Sequence, residues 1–391
     1  MIRELYKLFS DKISRVVIIV VIALIGLPYI LNFRLFHITK EKVDGCKYLM
    51  HQMELDEIDR TKATGYLENE KDDISSHTDD RYVPRYSNSR MEDLQVVNAV
   101  LRVANYVYYD FTEVRYDVLR NTQFRYNLAT KSREEKMLRK AYNMYNRVVY
   151  LPFDVVGIDS DAVVYGESDS KIEYLIIALF VAFVSLRMFS MDYQSGAYRL
   201  IGTSRCNLLK LYFRQVAAVV VFVVAIVIIQ ALMTFGTCAY VYGASFFEAP
   251  IQINSTYEMC PYLITNMEFL LIRYGVLLGF YLCVAAVVCM LTRVSRNVIV
   301  AIIGILGWAG IGIALRETAG RNAVLDMINH RVNPFSLLNM RLYFAQFDYE
   351  SIGEWMVNCF ALCVGTMITG TILSLAVGYI FTGYREKRND S

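Results

Sequence analysis

Hydrophobic residues along the chain are gathered into six long runs, and polar residues fill the stretches between them. Each run approaches, or can be extended to, the roughly 20 apolar residues that an α-helix needs to cross a bilayer. The runs cover Val16–Leu31, Ile172–Phe189, Val216–Phe235, Phe269–Leu291, Val298–Leu315 and Trp355–Phe381. The pattern predicts an all-α polytopic membrane protein with six transmembrane helices.

The longest polar stretch, residues 34–171, lies between the first two runs and is of domain size. Its central part, Glu92–Tyr150, contains no Pro or Gly and places apolar residues at helical spacing, which predicts helices, with a long antiparallel pair as one arrangement. The polar tract 69–90 predicts a flexible loop, and the Val-rich segment Val155–Tyr165 predicts a short strand pair. We therefore expect a mainly helical domain inserted after the first span.

The N-terminal unit, residues 1–33, combines an amphipathic start with the first run. Residues 1–14 place apolar side chains on one helical stripe and basic side chains off it, as in a helix that lies at a membrane interface. A secretory signal peptide is the alternative, since it also has a basic start and an apolar core. No small-x-small cleavage site follows Pro28-Tyr29, which favours an uncleaved anchor.

Basic residues predict the orientation of the spans. The segment 191–214, between the second and third runs, carries one acid, Asp192, against four basic residues. These are Arg199, Arg205, Lys210 and Arg214. Short loops rich in Lys and Arg stay on the cytoplasmic side. Residues 34–171 are then extracytoplasmic and both termini are cytoplasmic, in the plasma membrane of what we expect to be a bacterial cell.

Composition removes some classes of function. Hydrophobic residues make up 55% of the chain and the net charge is +2. No basic run with interleaved aromatic residues is present, so nucleic acid is not an expected partner. Most of the eight cysteines lie in or beside the runs, as small packing residues do. Cys238 and Cys260 fall in one predicted outer loop, where a disulfide could persist.

Catalytic signatures are missing from the sequence. It contains no GxxxxGK[ST] phosphate loop, no GxSxG nucleophile elbow and no HExxH zinc motif. The four histidines stand apart in predicted outer segments, where His51 with Glu54 and His77 with Asp79 are more typical of a solvated surface than of ligand pairs. We assign no catalytic residue, no metal and no cofactor to the chain.

Two short motifs in the membrane part resemble those of a known family. Asp192 stands four residues before Gly196 at the end of the second run, and an apolar-basic stretch then leads to the third run. Asn333-Pro334-Phe335 stands in the predicted outer loop before the last run. With the amphipathic start and the large outer domain after the first span, this order resembles ABC-2-type ABC transporter permeases.

The resemblance covers residues 1–33 and 172–391, while the outer domain matches no family we can name. Two positions depart from the family pattern. Gln194 stands where a second acid is often found, and Ala197 follows the glycine where Thr is frequent.

The resemblance implies a partner and a contact with it. ATP and Mg would be bound by a separate ABC ATPase, and segment 191–214 would dock on that subunit and couple its cycle to the second and third spans. The coupling role falls on Asp192, Ser195, Gly196, Arg199 and Arg205. Two six-span halves, from two copies or from this chain and a related one, would form the pathway. Gly304, Gly307 and Gly310 recur at three-residue spacing and are candidate helix-packing or dimer contacts.

Ionisable residues are rare within the runs, which bears on the cargo. Glu173, Arg187 and Arg273 lie near ends, and we expect Arg273 to reach the headgroups. A series of buried carboxylates, as in proton-coupled carriers, is missing, so a lipid, drug or peptide fits better than a small ion. The alternative function is an ATPase-driven signalling or scaffold protein acting through its outer domain. A membrane-embedded enzyme is disfavoured because no paired acids or nucleophile stand near a span end.

Overall fold

The computed structural model describes residues 12–52, 60–77, 83–105, 111–128, 132–148, 172–194, 208–318, 322–352 and 355–390. About 87% of these residues are helical. Five helices are long and apolar enough to cross a membrane, and a bent pair of helices near the N-terminus would be a sixth. The structure is therefore that of a mainly helical chain with several candidate spans, as the hydrophobic runs predicted.

The first predicted span is part of the bent pair. Helix α1 covers Lys12–Leu31, helix α2 covers Phe33–Gln52, and the two meet at a 45° bend. Pro28 lies one turn before the bend and lacks the N–H that would continue the helical ladder, which is a common cause of a kink. The predicted interfacial helix of residues 1–14 falls largely outside the described residues.

The polar stretch after the first pair folds into further helices. These are α3 (Arg60–Ser76), α4 (Arg90–Asn105), α5 (Phe111–Leu128) and α6 (Ser132–Val148). Helices α2, α3 and α4 enclose a small core of their own, and α5 packs against α6 around a second one. The helical prediction for Glu92–Tyr150 is confirmed where that segment is described. Val155–Tyr165 lies outside the described residues.

The prediction of a flexible loop over residues 69–90 was wrong in two places. Residues 69–76 form the last two turns of α3. Beyond it, the backbone N–H groups of Arg85 and Tyr86 donate to the carboxylate of Asp93, at 2.6 and 3.1 Å, and the Arg85 guanidinium bonds to Glu70 and Asp73. The acidic residues that suggested a solvated loop instead hold the chain between α3 and α4.

The membrane part continues through longer helices. They are α7 (Ile172–Gln194), α8 (Leu208–Val241), the short α9 (Ser245–Glu248), α10 (Asn266–Ser295) and α11 (Val298–Thr318). Helix α8 begins eight residues before the predicted Val216, so Lys210 and Arg214 lie on the helix and not in a loop. Between α8 and α10, short 3-10 turns at Ile251–Ile253 and Ser255–Tyr257 make a compact connection.

The last connection was predicted as a simple outer loop, Arg316–Glu354, and is more structured than that. It contains α12 (Ala323–Val332), a 3-10 turn at Ser336–Leu338, α13 (Arg341–Phe344) and the first strand of an antiparallel hairpin. That hairpin pairs β1 (Tyr349–Ile352) with β2 (Trp355–Asn358), and α14 (Cys359–Asp390) follows. The last span therefore begins at Cys359 and not at Trp355, because the first four residues of the predicted run pair with β1.

Helix α10 is the centre of the membrane part. It packs against α7, α8, α11 and α14, and its buried side chains include the aromatic residues Phe269, Tyr274, Phe280 and Tyr281. Thr265 and Glu268 form a reciprocal capping box that satisfies backbone N–H groups at its start. The other candidate spans are therefore arranged around one well-defined helix.

Candidate functional site

The predicted coupling segment begins and ends on described helices, but its middle is not described. Asp192 lies in the last turn of α7, which ends at Gln194, and α8 starts at Leu208. Ser195, Gly196, Arg199 and Arg205 lie outside the described residues. The structure therefore gives the two helices from which the segment departs, and what holds them together.

A cluster of polar and aromatic residues joins these two helices at the end where the segment leaves them. We call it the anchor cluster: Met188, Tyr212, Gln215, Arg293 and Leu375. Arg293 of α10 donates to Oε1 of Gln215 on α8, and Nε2 of Gln215 donates to the carbonyl oxygen of Met188 on α7 at 3.3 Å. Three candidate spans are thus connected by consecutive hydrogen bonds below the undescribed segment.

Tyr212 extends the anchor cluster to the last span. Its hydroxyl donates to the carbonyl oxygen of Leu375 on α14 at 2.8 Å, and its ring lies 5.8 Å from the Arg293 guanidinium. Gly378 leaves room for the Tyr212 side chain, because a Cβ at Gly378 would lie 3.0 Å from the Tyr212 hydroxyl. Arg293 and Gln215 are almost fully buried, so the cluster is shielded from solvent. Buried polar networks of this kind fix one arrangement of helices.

Neither Gln215 nor Tyr212 was predicted to have a role in the site. Arg293 stands two residues beyond the predicted run Phe269–Leu291, and it is 3% exposed. That position gave no sign of burial, because a long basic side chain at the end of a span can reach the membrane surface. Which partner it has could not be read from the sequence, because Gln215 lies 78 residues away.

A second buried arginine lies near the opposite end of α10. Arg273 is 7% exposed and donates to the hydroxyl of Tyr174 on α7. The prediction that Arg273 reaches the headgroups was wrong, since the Tyr174 ring and hydroxyl hold it inside. Beside it, the hydroxyls of Tyr29 on α1 and Tyr274 on α10 both contact Thr234 Oγ1 on α8, the first at 2.7 Å. We call these five residues the tyrosine cluster; it links α1, α7, α8 and α10.

The Asn333-Pro334-Phe335 motif packs against α10 and α11. The Asn333 side chain donates to the carbonyl oxygen of Gly312 on α11 at 2.7 Å and accepts from the backbone N–H of Phe335 at 3.2 Å. The Phe335 ring packs against Trp308 and Phe280, at 5.0 and 5.2 Å between centroids. The motif therefore closes the irregular backbone after α12 against α11 and α10.

The predicted glycine row does not act as one surface. A Cβ at Gly304 would lie 3.0 Å from Leu291 of α10, so this glycine allows packing within the chain. Gly307 and Gly310 have no atom within 4 Å of the Cβ position. The closest approach that a glycine permits on α11 is at Gly312, which the row did not include: a Cβ there would lie 2.2 Å from Phe335.

The cysteines predicted as a possible bridge are both free. Cys238 lies inside α8, which continues to Val241, and not in an outer loop. Cys260 is buried in the connection between α8 and α10, near the carbonyl oxygen of Tyr262, and burial raises the pKa of its thiol to about 12. A thiol with so high a pKa is a poor nucleophile at neutral pH, which disfavours oxidation.

Metal ligation has no support in the part of the chain that the structure describes, where no group of three or more His, Cys, Asp and Glu side chains could hold an ion. No family model, curated protein or solved structure matches the chain. The likeness to ABC-2-type permeases thus depends on the order of motifs along the spans.

Proposed function

We propose that this chain is the membrane-spanning permease subunit of an ABC transporter. It couples ATP hydrolysis by a separate ATPase subunit to the export of a hydrophobic or amphipathic substrate. In this proposal six spans cross the plasma membrane, with the bent α1–α2 pair as the first, and both termini are cytoplasmic. A second permease chain completes the pathway, and the open faces of Gly307 and Gly310 on α11 are candidate contacts with it.

The anchor cluster is the observation that carries the proposal. A partner that displaces segment 195–207 pulls on the ends of α7 and α8. Because Gln215 is bonded both to Met188 and to Arg293, and Tyr212 to Leu375, the displacement passes to α10 and α14 as well. A contiguous, buried set of hydrogen bonds is the kind of element that can transmit motion between sites. This arrangement supports a coupling role for the segment between α7 and α8.

The interior of the described spans supports an uncharged or amphipathic cargo. Among the described residues of α7, α8, α10, α11 and α14, the buried charged residues are Arg273 and Arg293, and both bond to polar side chains of neighbouring helices. Lys42 on α2 of the bent pair is buried as well. No series of buried carboxylates connects the two ends of the described spans. Proton-coupled and ion-coupled carriers depend on such a series.

A double substitution in the coupling segment tests the proposal. Replacing Gly196 by Trp and Arg199 by Glu should abolish the increase in ATP hydrolysis that the permease produces. Binding of the partner ATPase should be retained or weakened. The matched control makes the same two changes at Gly320 and Arg321, which the topology places on the opposite side of the membrane. Undiminished stimulation in the first variant would sink the proposed coupling role.

One observation favours the alternative, an ATPase-driven signalling or scaffold protein. Helices α2 and α6 each contact a connection between later helices of the membrane part. Lys47 of α2 donates to the carbonyl oxygen of Tyr242 at 3.0 Å, and the Tyr145 hydroxyl of α6 accepts from the backbone N–H of Phe347 at 3.0 Å. Motion of the spans would therefore reach these helices directly.

Tyr145→Phe separates the two functions, because it removes the hydrogen-bond acceptor and keeps the ring. If the helices after α2 only cover the transporter, ATP-driven export by Tyr145→Phe should match that of the unaltered protein. If they transmit a signal, Tyr145→Phe should lose the nucleotide-dependent change in hydrogen exchange over residues 111–148. Export by the variant should then equal export by the unaltered protein, including the case in which neither exports.

A further inference from the structure

A cavity of about 360 Å³ lies between α10, α11 and α14. The α10 side of its lining runs from Cys283 to Leu291, and the α14 side runs from Thr366 to Ser374. Each stretch advances about eight residues along its helix, so at 1.5 Å per residue the cavity is about 12 Å long, parallel to the helices. Most of the side chains that line the cavity are apolar, among them Trp308 of α11 and Met367 of α14.

In a chain whose α10 and α14 cross the membrane, the cavity lies at hydrocarbon depth. Both lining stretches fall well inside candidate spans, which cover Asn266–Ser295 and Cys359–Tyr384. The hydroxyl of Thr366 is already bonded to the carbonyl oxygen of Cys363 at 2.8 Å. An occupant is thus drawn from the hydrocarbon phase, and a charged headgroup would find no surroundings here that replace water.

Val332 and Pro334, at the end of α12 and just after it, also line the cavity. Helices α11 and α14 both pack on α10 and on α12 but hardly touch each other. Around the gap they expose large apolar side chains, such as Ile303 on α11 and Ile368 and Ile372 on α14. Hydrocarbon chains of the bilayer are therefore the molecules next to this gap.

We propose that the cavity binds one acyl chain of a phospholipid from the surrounding bilayer. A cavity of about 150 Å³ lined by aliphatic side chains binds benzene, so one of this volume takes on the order of a dozen carbon atoms in a row. Its elongated shape fits a chain and not a compact ring system. Close packing, and not the hydrophobic effect, favours the acyl chain in the cavity over the acyl chain in the bilayer, since lipid and cavity wall are equally apolar. The inference requires that these helices span the membrane, but not that the chain is a transporter.

Two glycines keep the space open, and one of them gives the test. Gly304 and Gly370 both line the cavity, and a Cβ at Gly370 would have no atom within 4 Å. A side chain at this position therefore starts in open space beside the cavity, and Gly370→Phe places a ring there. Gly365 is the matched control, because it lies on the same helix, is equally open at its Cβ position and does not line the cavity.

The experiment is photolabelling of the full-length chain in phosphatidylcholine nanodiscs. The probe is phosphatidylcholine with a diazirine midway along one acyl chain, and adducts are mapped by peptide mass spectrometry. Adducts on Met290, Leu291 and Met367 should exceed those on lipid-facing Ile303. Gly370→Phe should lower the cavity adducts at least about tenfold, as expected when a side chain takes the place of the ligand, while Gly365→Phe leaves them unchanged.

Three outcomes overturn the proposal. The first is cavity labelling in the unaltered protein that is no greater than labelling of Ile303. The second is cavity labelling that is equal in Gly370→Phe and Gly365→Phe. The third is cavity labelling by phosphatidylcholine that carries the diazirine on its headgroup, since the headgroup should never reach this depth. The comparison of the two probes uses the unaltered protein, so it decides the matter even if Gly370→Phe fails to fold.

Discussion

Arg293 holds the ends of three candidate spans, and its removal should affect both stability and coupling. Arg293→Met keeps a long side chain but takes away the donor that reaches the buried Oε1 of Gln215. Loss of a donor to a buried acceptor costs about 1–3 kcal/mol. We expect a lower thermal unfolding midpoint in detergent and a smaller stimulation of the partner ATPase.

The control for this prediction is Arg296→Gly, three residues further along. Arg296 has a positive φ of 53°, which glycine adopts without strain, so the loss of its charge should not be accompanied by loss of stability. An Arg293→Met protein that is as stable as Arg296→Gly, and that stimulates the ATPase as strongly, would contradict the role given to the anchor cluster.

Gly312 is the glycine, among those that the structure describes, whose added Cβ would lie closest to another atom. A Cβ there would lie 2.2 Å from a ring carbon of Phe335, which is itself fixed between Trp308 and Phe280. Gly312→Ala should destabilise the protein by about 1–3 kcal/mol, the usual cost of overpacking. Gly236→Ala on α8 meets no atom within 4 Å and should be neutral or stabilising. Equal unfolding midpoints for the two variants would show that the motif is not packed against α11.

The two buried arginines show what residue patterns can and cannot predict. Arg273 stands inside the predicted run Phe269–Leu291, where charges usually face the interior of a bundle, whereas Arg293 stands two residues beyond that run. Their partners were not visible, because Tyr174 and Gln215 lie 99 and 78 residues away in sequence. For Arg273 the reach of a long side chain favoured the headgroups, and a tyrosine on the neighbouring helix decided otherwise.

At the scale of elements, Asp348, the residue just before β1, has a carboxyl group that should make stability depend on pH. Burial raises the pKa of Asp348 from its ordinary value of 3.8, although the nearby Cys359 thiol and His330 oppose this rise and Asp326 adds to it. The unfolded chain then loses this proton at lower pH than the folded protein. The free energy of unfolding therefore falls as the pH increases from about 3.8 through the folded pKa, by about 1.4 kcal/mol for each pH unit that separates the two pKa values.

Asp348→Asn removes the titrating carboxyl group. The free energy of unfolding should then depend less on pH over this range. We expect the variant to be more stable than the unaltered protein at pH 7 and to differ little from it near pH 3. Unfolding midpoints measured in detergent between pH 3 and pH 8 check the prediction. A variant that is less stable at pH 7 than at pH 4, by the same margin as the unaltered protein, would show that another group is responsible.

Elements were predicted well where hydrophobicity alone decides, and less well where pairing does. The cores of the apolar runs became helices α7, α8, α10, α11 and α14. Their ends moved by up to nine residues, since Leu208–Gln215 continues a helix, Trp355–Asn358 pairs with a strand and α14 runs past Phe381 to Asp390. The last turns of α3 were missed because their acidic side chains suggested solvation, while Glu70 and Asp73 in fact bond to Arg85.

On the scale of the whole molecule, α10 links the features on which the account depends. Arg273 near its start belongs to the tyrosine cluster, Arg293 near its end belongs to the anchor cluster, and Cys283–Leu291 lines the cavity between them. A displacement of α10 would reach all three. The sequence predicted several spans and a polar segment between the second and third, but not that the fourth predicted span would be the one that joins the rest.

The central claim is that a separate ATPase acts on this chain, and purification from native membranes tests it most directly. The tagged full-length chain is isolated in mild detergent, its companions are identified by mass spectrometry, and ATP hydrolysis is assayed with and without it. The account predicts a stoichiometric ATPase with a phosphate-binding loop whose activity rises in the presence of this chain. Recovery of the chain without any nucleotide-hydrolysing partner would contradict the account, and would direct attention to the helices between residues 60 and 148 as the functional part.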